Sequence, residues 1–165
     1  MEFRIEPMSA ADWEQVRNIY LEGVASGQAT FETDAPTWEE WDSSHLPACR
    51  LVARSHKEIL GWAALSPVSR RACYAGVAEV STYVQLSFRG QGLGEALLRA
   101  LIDCSEQAGI WTLQGSTFPE NTASLRLQER CGFRVVGRRE RVACHNGVWR
   151  DTILTERRSA IAGQD

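Results

Sequence analysis

Lysine is nearly missing from this chain: Lys57 is the only one, and every other basic side chain is an arginine or one of three histidines. His45, His56 and His145 lie far apart in sequence and offer no metal-ligand spacing, so no metal is expected. No apolar stretch approaches the ~20 residues of a membrane span; residues 59–65 and 95–102 are typical of the longest. The opening residues, Met1-Glu2-Phe3-Arg4-Ile5-Glu6, show no basic segment followed by an apolar run, so no signal peptide is expected. Surplus positive charge is lacking as well. The net charge of −3 argues against a nucleic-acid binder that works by bulk charge, and leaves room for a local basic patch. The five cysteines (Cys49, Cys73, Cys104, Cys131 and Cys144) include no C-x-x-C pair and are odd in number. They read as reduced thiols in a cytoplasmic protein rather than as a disulfide scaffold.

What is present has an ordinary globular balance: 165 residues, 44% hydrophobic and 24% charged. That length makes one domain, residues 1–165, able to bury a core without staples. There is no internal repeat or long linker, and residues 157–165 read as a frayed, flexible tail.

Residues 3–7 alternate apolar and polar and are stopped by Pro7, which predicts a short strand. Ser9 is a helix N-cap candidate, and Trp13, Val16, Ile19, Tyr20 and Val24 recur at helical spacing, so residues 10–25 form an amphipathic helix ended by Gly27. Residues 30–33 are a loop or a short irregular helix, and Thr37 caps a short helix containing Trp38 and Trp41. Strands are predicted at 50–54 and 58–65, joined as a hairpin through Ser55-His56-Lys57, and again at 76–84, 111–117, 133–142 and 148–156. Residues 92–107 and 121–130 read as helices, the first with Leu93, Ala96, Leu97, Ala100, Leu101 and Cys104 on one face. Asn146-Gly147 is a turn signal between the last two strands. The order β-α-α-β-β-β-α-β-α-β-β implies a mixed sheet with helices on its faces, not a regular doubly wound chain.

The most informative stretch is Arg89-Gly90-Gln91-Gly92-Leu93-Gly94, which follows a strand and opens a helix. Glycines let backbone approach a ligand closely, and the free N–H groups of a helix start make an anion site suited to a pyrophosphate. Arg89 adds a fork of donors. A dinucleotide fingerprint does not fit, because the third glycine position is Glu95 and the position about 20 residues on is Gly115 rather than an acid. A P-loop would need Gly-Lys-Ser/Thr, which is absent. A tight turn without a ligand remains the alternative.

Arg89-x-x-Gly92-x-Gly94 resembles the coenzyme A pyrophosphate loop, Q/R-x-x-G-x-G/A, of the GCN5-related N-acetyltransferase (GNAT) superfamily. Asn121-Thr122-Ala123-Ser124, with Leu127 and Gly132-Phe133, is similar to the same superfamily's N-x-x-A/S-x-x-L-Y-x-x-x-G-F segment. Thr30-Phe31-Glu32, residues 79–84 and residues 145–151 resemble the phosphinothricin and methionine sulfoximine acetyltransferase branch.

The resemblance implies an α/β (α+β) fold. Its central sheet would be mixed, mostly antiparallel and about seven-stranded, with helices on both faces and two splayed parallel strands that bind acetyl-CoA. By the same resemblance the backbone of Thr82, Tyr83 and Val84 pairs with the pantetheine arm. The loop Arg89, Gly90, Gln91, Gly92, Leu93, Gly94 and Glu95 holds the pyrophosphate, and Asn121 reaches the pantetheine, caps the next helix, or does both. Phe31, Ser69, Arg70, Arg71, Glu79, Val80 and Ser81 would surround the amine substrate, with an arginine of the Arg70-Arg71 pair on its carboxylate. The pair also fits two solvated loop arginines.

Acetyl transfer needs a free amine, and stripping an ammonium of pKa about 10 at pH 7 costs about 3 units, roughly 4 kcal/mol. Glu79 aligns with the family's proposed base, alternatively a partner for the substrate ammonium; His145 aligns with a second candidate, alternatively an exposed turn residue. Gln128 departs from the pattern, which has Tyr or His there to protonate the leaving thiolate. A glutamine is no acid, so the acid role falls to another group, water or Tyr83. Relatives of this kind are commonly homodimers, and Trp149 near the last hairpin is a candidate interface residue. The function expected is an acetyl-CoA-dependent acyltransferase acting on the α-amine of a small amino-acid-like substrate. A peptide N-acetyltransferase and a non-catalytic acetyl-CoA sensor are the alternatives.

Overall fold

The computed structural model describes residues 1–165. In chain order the elements are β1 (Arg4–Pro7), α1 (Trp13–Ser26), α2 (Trp38–Ser44), β2 (Leu51–Ser55), β3 (Glu58–Pro67) and β4 (Val77–Val84). There follow α3 (Leu93–Gln107), β5 (Thr112–Thr117), α4 (Thr122–Arg130), β6 (Arg134–His145) and β7 (Val148–Arg158). Short 3-10 turns precede α1, β4 and α3. The seven strands form one sheet in the order β1-β2-β3-β4-β5-β7-β6. Every neighbouring pair is antiparallel except β4–β5.

β3 is the centre of the molecule. Its run from Ile59 to Leu65 is buried on both faces, which is why it reads as continuous apolar sequence rather than an alternation. Ile59, Trp62 and Ala64 pack with Val16 and Ile19 of α1 and Trp41 of α2. Leu60, Ala63 and Leu65 pack on the opposite face with Leu93, Leu97, Leu98 and Leu101 of α3. Each of those leucines contributes ~1.5–3 kcal/mol by leaving water. The α1 entry is held by Asp12, whose carboxylate accepts from the Ser9 N–H at 2.9 Å and from Arg54 Nη2 at 2.9 Å. Thr37 caps α2 as expected, its hydroxyl accepting from the Glu40 N–H at 3.2 Å. Asn146 and Gly147 both take positive φ in the two-residue β6–β7 turn, the geometry that suits the right-handed strand twist.

Two expectations are corrected. Cys49 and Cys104 form a disulfide, joining the segment before β2 to α3 across 55 residues of chain. The spacing of cysteines carries no sign of this, because the pairing is set by where α3 lies on the sheet; Cys73, Cys131 and Cys144 are free. Residues 157–165 are not a frayed tail. β7 runs on to Arg158, whose guanidinium donates to the carbonyls of Ser159, Ala162 and Gly163 and folds the end of the chain back. Ser159 and Ala162 are buried, and the Ser159 N–H donates to the Trp111 carbonyl at 2.8 Å. No helix is long and apolar enough to cross a membrane.

Candidate active site

β4 and β5 pair over only three positions, Val77 with Thr112, Ala78 with Leu113 and Glu79 with Gln114, and part beyond them. The other edge of β4 stays paired to β3 as far as Val84, so the side of β4 facing the gap has no strand partner past Glu79. The gap opens into a cavity of about 740 Å³. Its walls come from β4 (Glu79, Val80, Ser81, Thr82, Tyr83), the end of β5, α4 and the 28–36 loop between α1 and α2.

At the far end of β4 stands the start of α3. Gly90 and Gly92 have φ of 76° and 86°, a conformation that strains any other residue, and nothing lies within 4 Å of where a Cβ would be. The N–H groups of residues 90–95 donate to no acceptor in the chain, and Gly92 provides no side-chain cap. Six free amides at a helix start suit a pyrophosphate. Leu93 anchors the turn in the core, while the Glu95 carboxylate is drawn aside by Arg99 at 2.7 Å and Arg130 at 3.1 Å. Arg89 is exposed, its Nε donating to the Val84 carbonyl at 3.2 Å, and the Gln91 amide reaches the Ser87 carbonyl. The Thr82 hydroxyl is buried beside the gap without a partner. From Glu79 to Val84 is five strand steps, about 17 Å. An extended arm paired with β4, its anionic end on the α3 amides, fits this surface, as acetyl-CoA requires.

Glu79 sits where the two strands part, half-buried, with Oε1 accepting from Gln114 Nε2 at 3.1 Å. Ser81 and Tyr83 follow it on the same side of β4. Tyr83 stacks on Trp62 with ring centroids 4.8 Å apart and lies beside Tyr20 in the α1–α2 cluster. Burial pushes its phenol up, and Tyr20 adds to the rise. Phe31 lines the cavity with its ring edge on Phe118 at 4.8 Å.

His145 does not line the cavity. It is buried behind Phe31 and Phe118, with ring centroids 6.2 Å and 6.0 Å away, and Arg150 Nη1 donates to its Nδ1 at 3.3 Å. Ser69, Arg70 and Arg71 lie off the cavity too, in the segment between β3 and β4. Ser69 Oγ accepts from the Arg71 N–H, and the Arg71 guanidinium lies 5.6 Å from the Tyr74 ring. Asn121 lines the cavity and spends both ends of its amide within the chain. Its Oδ1 caps α4 by accepting from the Ser124 N–H, and its Nδ2 donates to the Gln28 carbonyl, each at 3.2 Å.

Three features escape local sequence reading. Glu32, Asp34, Glu40 and Glu79 line the cavity, none is paired with a cation, and no Arg or Lys joins them on its wall. Gln128 is buried and ties together Thr117, Ser124 and Thr155. Arg150 crosses from β7 to hold the start of the 28–36 loop. The residue types were visible, but the contacts join segments far apart in the chain.

A parted parallel strand pair ending at free helix-start amides, with a carboxylate at the crotch, defines an acyl-CoA transferase site. The model of the acetyltransferase (GNAT) family matches residues 13–133, and the chain belongs to that family. It is an acetyl-CoA-dependent N-acetyltransferase. It is 31% identical to the phosphinothricin N-acetyltransferase of Streptomyces coelicolor over 164 residues, covering 94% of this chain and 96% of the relative. It is 34% identical to the L-methionine sulfoximine/L-methionine sulfone acetyltransferase of Pseudomonas aeruginosa over 157 residues, covering 92% and 91%. The structure of a GNAT superfamily phosphinothricin acetyltransferase from Sinorhizobium meliloti in complex with acetyl-CoA superposes with a TM-score of 0.89 at 25% identity, covering 100% of this chain and 92% of that one.

Proposed function

We propose that this enzyme acetylates the α-amino group of a small amino-acid-like substrate, in the class of methionine sulfoximine, methionine sulfone and phosphinothricin. In this reading its physiological role is detoxification. The observation that carries the reading is the position of Glu79, inside the cavity at the point where the strands part. The thioester end of a pantetheine lying along β4 comes to that point. Glu79 then accepts the ammonium proton, directly or through water, and the free amine attacks the carbonyl carbon. Phe31, Val80 and Ser81 shape the amine's approach, and an arginine of the Arg70-Arg71 pair, which lies off the cavity here, moves to it to receive the substrate carboxylate. His145 acts from behind Phe31 as a support. A cytoplasmic homodimer belongs to the same reading, with exposed Trp149 on β7 as the candidate interface residue.

A second reading rests on the uncompensated carboxylates. A wall with four unpaired acids and no arginine favours a cationic amine without its own carboxylate, such as a peptide N-terminus. A panel of amines with acetyl-CoA, followed by free thiol release, separates the two. The first reading expects methionine sulfone to exceed its decarboxylated amine in kcat/KM, and Arg70→Ala or Arg71→Ala to raise KM for the amino acid about 10- to 150-fold. The reverse preference, with KM unmoved by either change, establishes the second.

A further inference from the structure

Transfer from acetyl-CoA leaves a thiolate, whatever the amine, and the residue at position 128 is no acid. We infer that the hydroxyls of Thr117 and Ser124, oriented by Gln128, donate the hydrogen bonds that receive the departing CoA thiolate.

The Gln128 amide is fully spent. Its Nε2 donates to Thr117 Oγ1 at 2.9 Å and to Ser124 Oγ at 3.1 Å, and its Oε1 accepts from Thr155 Oγ1 at 2.5 Å. It is 5% exposed, and the partners Thr117 and Thr155 are buried with it. A side chain held on three sides cannot turn toward a ligand. It fixes instead what its partners do. Thr117 and Ser124 each accept from the amide with a lone pair, which leaves each O–H to point elsewhere. Neither O–H has an acceptor in the chain, and both residues line the cavity. Two donors are therefore unspent on the wall of the gap opposite β4.

Gly115 is part of the device. A Cβ there would lie 2.6 Å from Gln128 Oε1 and 2.6 Å from Thr155 Oγ1, so the bare backbone is what admits the amide. Gly115 follows Gln114, the last residue of β5 paired to β4, and Thr117 lies two residues on along the same face of β5, lining the cavity that Glu79 also lines. Tyr83, the other candidate donor, packs into the aromatic cluster with Trp62 and Tyr20.

In the step itself the amine nitrogen bonds to the carbonyl carbon and the C–S bond breaks. The electron pair of that bond goes to sulfur, and the amine proton goes to Glu79 and on to solvent. The hydroxyls transfer no proton. They stabilise the negative sulfur by hydrogen bonding, and the thiolate is protonated after release.

Titration of bound CoA tests this without turnover. Thiolate absorbance of CoA in the binary complex is followed against pH for the wild type, Ser124→Ala, Thr117→Val and the double variant. Loss of both donors is expected to raise the titration midpoint of the bound thiol by about one to two units. The expected fall in kcat is ~10- to 100-fold, with acetyl-CoA affinity held within about threefold. Ser124→Ala alone, at a half-buried position, keeps the test available if the double variant does not fold; about half the shift is expected. Gln128→Leu is expected to raise the midpoint as well, because the hydroxyls lose their orientation. A midpoint identical in the wild type and in folded Ser124→Ala and Thr117→Val overturns the inference.

Discussion

Arg150 Nη1 donates to the carbonyl of Gly27 at 2.6 Å, across 123 residues of chain. The same guanidinium reaches Gln28 Oε1 at 2.8 Å and lies 3.6 Å from the centre of the Phe118 ring. One side chain of β7 thereby fixes where the 28–36 loop leaves α1, and that loop forms one wall of the cavity. Arg150→Ala is expected to raise KM for the amine about tenfold or more while acetyl-CoA affinity stays close to that of the wild type. Steady-state kinetics with each substrate varied in turn reads the split. Equal rises in both constants would show that the arginine serves the fold as a whole.

Glu79→Gln keeps the contact with Gln114 and removes the proton acceptor. The expected loss in kcat is about 10²–10⁴, the range for a missing general base. Acetyl-CoA binding, measured by calorimetry, is expected to survive. His145→Ala, which empties a position behind Phe31, is expected to cost less than tenfold in kcat. The opposite ranking would move the base to His145.

Acetyl-CoA at 100 times its dissociation constant is expected to stabilise the fold by about 2.7 kcal/mol, read as a rise in Tm. Gly92→Val places a branched side chain at φ 86° among the free amides and is expected to abolish the rise. A wild-type rise in that variant would remove the pyrophosphate from this loop.

Burial alone would raise the Asp12 carboxyl, but the Ser9 N–H and the Arg54 guanidinium outweigh it and hold the group below its usual value. A carboxyl depressed by folding adds stability that is fully present above its unfolded pKa of ~3.9 and is lost as pH falls through the lower folded value. Asp12→Asn is therefore expected to lower stability by ~1–3 kcal/mol at pH 7. It is also expected to flatten the decline of Tm below pH 4. A decline as steep as that of the wild type would assign the acid sensitivity to other carboxyls.

The elements with strong local patterning were legible in the sequence. The α3 leucines, the Thr37 cap and the Asn146-Gly147 turn lie where their spacing and chemistry put them, because each is decided within a few residues. Predicted ends fell short on the later strands: β6 continues to His145 and β7 to Arg158, where pairing with a neighbour rather than local propensity sets the length. The same limit hid the Cys49–Cys104 bond, the packed tail and the burial of His145. That histidine lies next to a surface turn in sequence, yet Phe118 and Arg150, from β5–α4 and β7, enclose it. At the site, the tight glycine turn could be read from its spacing, and the place of Glu79 on a strand from the alternating pattern around it. The Gln128 cluster could not, because it joins β5, α4 and β7, three segments with no shared local pattern.

The parting of β4 and β5 makes the sheet two panels, β1–β4 and β5–β7, stitched directly to one another along three residue pairs at one end. A seam of this kind opens like a book. Widening the pages beyond Glu79 and Gln114 breaks no strand-to-strand hydrogen bond, because none spans that part of the seam. A bulky, extended cosubstrate can enter and its product leave while both panels keep their own pairing intact. Access to the reacting centre therefore costs the backbone no local unfolding.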